Sequence, residues 1–320
     1  MKRRVFVSSA LAGTGFALGK KAPAAVKPGD IPMRAFGKTG AKVTVIGLAG
    51  GRFPLCTREE AREITRRAYE LGITYYDTAR SYWNGASEEV YGEVLPQWRK
   101  NIFITTKSTE RTRQGAEAEL EKSLKALRTD YIDLWHVHAV SEMKEVDQIF
   151  GSSGAFEAFD AAKKAGKVRF IGFTGHADPH VHFEMLQRYH NWDGILMPLH
   201  AADPGYLSFE KIVLPTCVER KMGIQAMKPL ANAKLLQTLS VRECLNYTLS
   251  LPISCAAMGC TTIGQIEDDA RVARTLKQLS SEEMAGLRER VNGIKGPGLE
   301  DWKKNILTAG IDPRRKYLGG

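Results

Sequence analysis

From residue 43 onward, short β-rich apolar runs alternate with amphipathic segments. The runs at 43–48, 74–77, 102–107, 131–138, 168–173, 194–198, 223–227 and 253–258 predict eight strands. Apolar spacing of three and four predicts helices over 58–71, 87–97, 114–128, 154–165, 179–190, 207–221, 241–250 and 264–277. Thr57 with Glu60 three residues on reads as a capping box, and Gly72 as a stop. Ser240 and Gly166 punctuate two other helices in the same way. Eight strand–helix units in succession predict a closed parallel (β/α)8 barrel, the TIM barrel, with a doubly wound open sheet as the alternative. No strand–GxGxxG–helix fingerprint opens the chain, which disfavours the dinucleotide-fold version of that alternative. Residues 32–45 hold the turn signal Gly37-Lys38-Thr39-Gly40 and predict a hairpin capping one barrel end, overlapping the first strand. A further helix over 281–292 and a Gly/Pro-containing tail complete one barrel domain, residues 31–320.

Composition narrows the picture. The 320 residues are 43% hydrophobic and 26% charged, which excludes disordered and fibrous classes. No uncharged apolar run reaches the ~20 residues of a membrane span. The five cysteines form no CxxC pair, so the usual zinc and iron–sulfur spacings are absent. Cys255 and Cys260 would lie ~17 Å apart on an extended strand, too far to bond. The net charge of +10 suggests nucleic acid, but Lys2, Arg3, Arg4, Lys20 and Lys21 all lie in residues 1–24, which hold no acid. Without them +5 remains, in mixed-sign surroundings, and nucleic-acid binding is disfavoured. Residues 1–24 read as an export signal: a basic start, an uncharged run over 5–19, and an A-x-A pattern at Ala22-Pro23-Ala24. Arg3-Arg4-Val5-Phe6-Val7 resembles the core of a twin-arginine signal, implying the twin-arginine export machinery as a partner and a periplasmic or otherwise exported protein. An uncleaved signal would anchor it to the membrane. Residues 25–30 form a linker.

In such a barrel the chemistry sits at the C-terminal ends of the strands. Those ends carry Asp77 and Tyr82 after the second strand and Lys107 on the third. His136 and His138 lie on the fourth, Thr174, Gly175 and His176 follow the fifth, and His200 the sixth. Lys228-Pro229-Leu230 follow the seventh and Gly259-Cys260-Thr261-Thr262 the eighth. A phenol with its ordinary pKa of ~10 is a poor acid at neutral pH, and a nearby lysine cation lowers that pKa. Asp77 can serve as the lysine's counter-ion, and His138 can orient a substrate oxygen. Such a set protonates an oxygen while hydride reaches its carbon, and the hydride needs a cofactor.

Four segments then carry a resemblance. Tyr75-Tyr76-Asp77-Thr78-Ala79-Arg80-Ser81-Tyr82 through Glu89 resembles the aldo/keto reductase segment around its catalytic Asp and Tyr. Residues 102–107 are similar to that family's lysine strand, 130–138 to its D-Y-(V/I)-D-L-x-x-x-H strand, and 166–172 to G-K-(V/I)-R-x-(I)-G. The resemblance spans about residues 31–280 and implies an NAD(P)-dependent reductase of a small carbonyl or alcohol, with the tetrad Asp77, Tyr82, Lys107 and His138. It assigns the cofactor, NADP(H) or NAD(H), to Thr174, Gly175, Met197, His200, Lys228, Pro229, Leu230, Gly259, Cys260, Thr261, Thr262, Gln265, Asp268 and Asp269. Thr174-Gly175 replaces the family's Ser-Asn, Met197 its Gln, and His200 its ring-stacking Tyr. No Arg or Lys lies between Gly259 and Ala270 to clamp a 2′-phosphate. Arg52, Trp83, residues 140–153 and the tail would line the substrate pocket. Two other readings compete: a metal-dependent barrel hydrolase using Lys107, His138, His176 and His200, and a non-catalytic nicotinamide-binding barrel. His136 reads as an inward packing residue.

Overall fold

The computed structural model describes residues 30–304. The expected export signal, residues 25–29 of the linker and the tail beyond 304 lie outside the described residues. A two-stranded antiparallel hairpin comes first, β1 (Met33–Ala35) and β2 (Lys42–Thr44). Eight parallel strands then close into a barrel. They are β3 (Ile46–Ala49), β4 (Tyr75–Asp77), β5 (Phe103–Ser108), β6 (Ile132–Val137), β7 (Val168–Thr174), β8 (Gly194–Pro198), β9 (Gly223–Met227) and β10 (Cys255–Met258), with β10 pairing back onto β3. Around them run α1 (Arg58–Glu70), α2 (Ala86–Val94), α3 (Arg113–Leu127), α4 (Met143–Phe150), α5 (Ala155–Lys164), α6 (Pro179–Arg188), α7 (Phe209–Ile212), α8 (Leu214–Glu219), α9 (Val241–Ser250), α10 (Ile263–Arg274) and α11 (Ser281–Arg290). The TIM-barrel expectation holds. No helix among the described residues is long and apolar enough to cross a membrane.

The hairpin closes the N-terminal end of the barrel through Phe36. Its ring presses on Gly194 and Gly223, the first residues of β8 and β9. A Cβ on Gly223 would stand 2.1 Å from that ring, so only glycine admits the plug. Above Phe36 the interior is filled by Tyr75, Phe103, Leu134, Leu196 and Cys255. Strand alternation places the next inward residues two positions on. A buried polar layer follows, with Thr105 Oγ1 3.0 Å from His136 Nδ1 and Gln225 close by. His136 is thus an inward packing residue, as its spacing predicts. A second shell of apolar residues packs between strands and helices.

Several boundaries differ from the expected ones. The hairpin ends at Thr44 and the barrel starts at Ile46, because Thr44 Oγ1 donates to the Ile46 carbonyl and turns the chain between them. The helix expected over 87–97 stops at Val94, ahead of Pro96, which opens a short 3-10 turn. The helix expected over 207–221 breaks into α7 and α8, with Pro215 in the first turn of the second piece. Residues 140–153, expected as a pocket loop, contain α4, which buries Val146 and Ile149 and is capped through Glu142 and Glu145. After α11 the chain returns over the C-terminal mouth as residues 296–304. The five cysteines are free, consistent with the expected spacing argument.

Candidate active site

Period-two alternation lifts three chemically active residues to the top of the barrel interior. Asp77 stands two positions beyond Tyr75, Lys107 two beyond Thr105, and His138 two beyond His136. Lys107 is buried, and its Nζ donates to Asp77 Oδ1 at 2.7 Å and to the Thr78 carbonyl at 2.6 Å. The same Nζ lies 4.7 Å from the centre of the Tyr82 ring. Tyr82 meets the His138 ring edge-on, centroids 5.5 Å apart. His138 Nδ1 is 3.2 Å from Ser81 Oγ, and the His138 carbonyl accepts from Arg111 at 2.7 Å. The four tetrad residues are therefore assembled at one place.

Their electrostatics follow from burial and neighbours. Burial pulls Lys107 toward neutrality, but Asp77 and then Tyr82 outweigh it and hold its pKa above the ordinary value. Burial raises Asp77, with Lys107 opposing. Burial also raises Tyr82, with Lys107 pulling it back and Asp77 adding to the rise. Tyr82 thus carries its proton at neutral pH. His138 is depressed well below the usual imidazole range, first by burial and then by Lys107, and is neutral.

The residues expected at a cofactor divide into two groups. Arg52 donates to Asn232 Oδ1 at 2.7 Å, and Lys228 Nζ reaches the same oxygen at 3.4 Å. The Arg52 stem packs on Gly259, so the cations after β3 and β9 meet beside the loop after β10. Burial, then Arg52, lowers the Lys228 pKa to about 8. Thr261, Thr262 and Gln265 frame the exposed first turn of α10 next to them, where Thr262 caps and Gln265 accepts from the Thr261 N–H. Two cations converging at a helix N-terminus suit an anion. Leu230 is half-buried and Pro229 buried in the same loop. Lys228, Ala231, Asn232 and Ala233 all have positive φ, a strained run at this point of the mouth.

Most of the second group is packed or paired away from these cations. Met197 lies between the inward Leu196 and Pro198 and packs in the outer shell, where it cannot hold a carboxamide. Gly175 has no room for a side chain, since a Cβ would stand 2.4 Å from both the His182 ring and the Val140 carbonyl. Thr174 beside it is buried and stands two positions beyond Gly172, which lies against His136, so it keeps the inward phase of β7. His200 is fully buried; its Nε2 is 3.2 Å from Glu300, and Trp302 meets its ring edge-on, so no face is free for stacking. Cys260 is buried and donates to the buried Asp269, while Asp268 is tied to Arg271. Trp83 is half-buried, packs against the outer shell and follows Tyr82.

The tail was expected at the pocket, but the partners that residues 296–304 find there were not legible in the sequence. Lys303 is buried between Asp203 (2.7 Å) and Glu300 (2.5 Å) and also donates to the Tyr206 carbonyl. The Trp302 ring lies 4.7 Å from Lys228 Nζ, and the Trp302 carbonyl is 3.4 Å from His176 Nδ1. Met227, at the end of β9, packs on the interior and stays partly exposed toward the mouth. The four side chains of the metal reading are differently engaged: Lys107 with Asp77, His138 with Ser81, His176 with Trp302 and His200 with Glu300. Among the described residues no three His, Cys, Asp or Glu side chains gather as a metal-binding group.

With that geometry in place, comparison with known proteins is decisive. Residues 46–248 match the sequence model of the Aldo/keto reductase family. The chain belongs to the aldo/keto reductase family. Curated proteins similar to it include L-galactose dehydrogenase of Arabidopsis thaliana, 33% identical over 45% of this chain and 49% of that protein. Another is L-glyceraldehyde 3-phosphate reductase of Escherichia coli O157:H7, 26% identical over 65% of this chain and 64% of that protein. Methylglyoxal reductase YeaE of Escherichia coli (strain K12) is 28% identical over 72% of this chain and 84% of its own length. The chain thus spans about half of the first of these relatives and under two-thirds of the second. Among solved structures, the holo form of an aldo-keto reductase of Bacillus halodurans superposes with a TM-score of 0.70 at 23% identity, covering 81% of this chain and 96% of that one. An aldo-keto reductase of Klebsiella pneumoniae in complex with NADPH gives 0.66 at 23% identity over 81% and 94%. These structural likenesses speak to the fold.

Proposed function

We propose that this aldo/keto reductase is a nicotinamide-nucleotide-dependent oxidoreductase of a small carbonyl or alcohol, with Tyr82 exchanging the proton. The observation that carries the reading is the buried Lys107–Asp77 pair, 2.7 Å long, with its ammonium against Tyr82 and neutral His138 beside the phenol. The NADPH of the Klebsiella structure and the reductases and dehydrogenase among the relatives support it. When bound, a nicotinamide nucleotide supplies or accepts the hydride. Arg52, Lys228, Asn232 and the first turn of α10 suit its phosphates. Asp77 keeps Lys107 charged. Lys107 stabilises the phenolate that forms as Tyr82 gives its proton to the substrate oxygen, and neutral His138 orients that oxygen. In the oxidative direction Tyr82 takes the proton back.

The twin-arginine-like segment supports export to the periplasm, where the protein is either released or tethered by an uncleaved signal. Free nicotinamide nucleotide is not expected there. The cofactor would therefore be loaded before export and kept through turnover, with two substrates reducing and oxidising it in turn. Finding the protein outside the inner membrane with no nicotinamide bound would sink that part.

The test of the main reading titrates NADPH and NADH into the purified full chain by fluorescence and follows methylglyoxal reduction, with Tyr82→Phe in parallel. Saturable binding, with turnover lowered at least a hundredfold in Tyr82→Phe while binding persists, is expected. Absence of both a co-purifying nicotinamide, read by absorbance and fluorescence of the protein as isolated, and saturable binding of either nucleotide overturns it.

A further inference from the structure

Tyr82 opens a turn that L-residues adopt reluctantly. Trp83 and Asn84 both have φ of 52°, and Gly85 follows at 92°. Cβ crowding disfavours the left-handed region for the first two, so surrounding contacts must hold the turn. Arg80 supplies them from the outer side of the barrel, where its side chain borders a groove with Arg58, Glu93 and Lys122 and faces away from the mouth. Its Nη1 pairs with Glu88 at 2.7 Å, and its Nη2 donates to the Asn84 carbonyl at 3.4 Å. The guanidinium rests on Gly85, where an added Cβ would lie 1.0 Å from Nη2.

The other end of this contact reaches the lysine strand. Glu88, in the first turn of α2, is fully buried, and its Oε1 accepts from Thr106 Oγ1 at 2.6 Å. Thr106 immediately precedes Lys107. The Arg80 N–H donates to the Lys107 carbonyl at 3.2 Å, so both ends of the Arg80 residue tie the turn to β5. A buried carboxylate needs a compensating cation, and Arg80 supplies it to Glu88.

We propose that Arg80 and Glu88 are positioning residues that hold Tyr82 against Lys107 for proton transfer; this rests on the reading of Tyr82 as proton donor. Neither touches substrate or cofactor. Loss of the clamp lets the turn relax and the phenol drift from the ammonium. Tyr82 then faces Asp77 and His138 without the full Lys107 field, so its pKa rises and proton transfer slows.

The test uses full-chain protein with NADPH and 4-nitrobenzaldehyde, comparing Arg80→Met, Arg80→Lys and Glu88→Gln with wild type. Arg80→Met should lower kcat at least tenfold, with aldehyde KM and NADPH Kd within threefold. Arg80→Lys should recover most of that loss. The alkaline limb of the kcat profile should move to higher pH in Arg80→Met. If Arg80→Met does not fold, Glu88→Gln, which keeps shape and the Thr106 bond but not the charge, carries the same expectations. Wild-type kcat and limb in the variant overturn the positioning role. So do equal losses in the Lys and Met variants, or KM and Kd rising in step with the fall in kcat, which mark a merely structural contact. A wild type that binds NADPH but gives Tyr82→Phe the same turnover as itself overturns the donor reading, and the positioning role falls with it.

Discussion

At the residue scale, Lys107 and Asp77 are sealed in the barrel top and each compensates the other's burial. Removing one partner leaves a charge without compensation, which costs about 3–5 kcal/mol in buried pairs, whereas removing both charges together costs far less. Lys107→Met should therefore lower the unfolding free energy by about 3–5 kcal/mol, and adding Asp77→Asn should recover at least half of it. Urea unfolding of the two variants checks this, and a single variant as stable as wild type would mean that Asp77 does not need its partner. The pair was legible because both residues end strands and the family motifs number them. Gly175 was legible only as a departure. Its cause, the His182 ring and the Val140 carbonyl standing where a side chain would go, lies in an α6 residue whose direction no local pattern reveals. Met197 shows the same limit, since a one-position error of strand phase sends a residue from the mouth to the outer shell.

At the element scale, the eight strands were readable because each is a short β-rich apolar run, buried on both faces, beside a helix of the right period. Helix α4 falls outside the eight strand–helix units, and although Val146 and Ile149 carry its apolar face, its eight residues are too short for their spacing to stand out from a loop. The split between α7 and α8 follows from Pro215, whose missing N–H a pattern of apolar spacing does not register. Helix α10 makes the clearest energetic statement. Its Asp269 points inward with Cys260 as donor, and burial, tempered by that thiol, raises its pKa to about 7. A carboxyl raised in the folded state binds more protons there than when unfolded, so stability falls as pH rises from about 4 through 7. A shift of about three pH units corresponds to a span of order 4 kcal/mol. Asp269→Asn should flatten that part of the pH–stability curve and be the more stable protein at pH 8. Thermal melts of both proteins at pH 5 and pH 8 check it, and parallel curves would place the Asp269 charge in contact with water.

At the scale of the whole molecule, the tetrad could be read from chain order because barrel closure gathers every strand end at one mouth. The tail was expected at the mouth, but the course of residues 296–304 could not be read, because it is fixed by partners far away in sequence: His176, Asp203, Tyr206 and Lys228. This strap ties together the loops after β7, β8 and β9, with Trp302 above Lys228 on the side where the cation pair suits phosphate. Its deepest anchor is Lys303, held by Asp203 and Glu300, while Glu300 also faces His200. Lys303→Met leaves the buried Asp203 and Glu300 carboxylates without their shared cation, and the strap should detach while the barrel, to whose core it adds Leu299 and the flank of Trp302, stays folded. Chymotrypsin cleavage after Leu299 and Trp302 should then quicken at least tenfold, with the barrel's far-UV circular dichroism retained. NADPH should also enter and leave faster, as read by stopped-flow fluorescence, because the nucleotide no longer waits for the strap to open. Cleavage and exchange rates equal to wild type would mean that the strap is held by its apolar contacts and does not gate the mouth. Faster cleavage with unchanged exchange would mean that the strap opens without limiting the passage of the nucleotide.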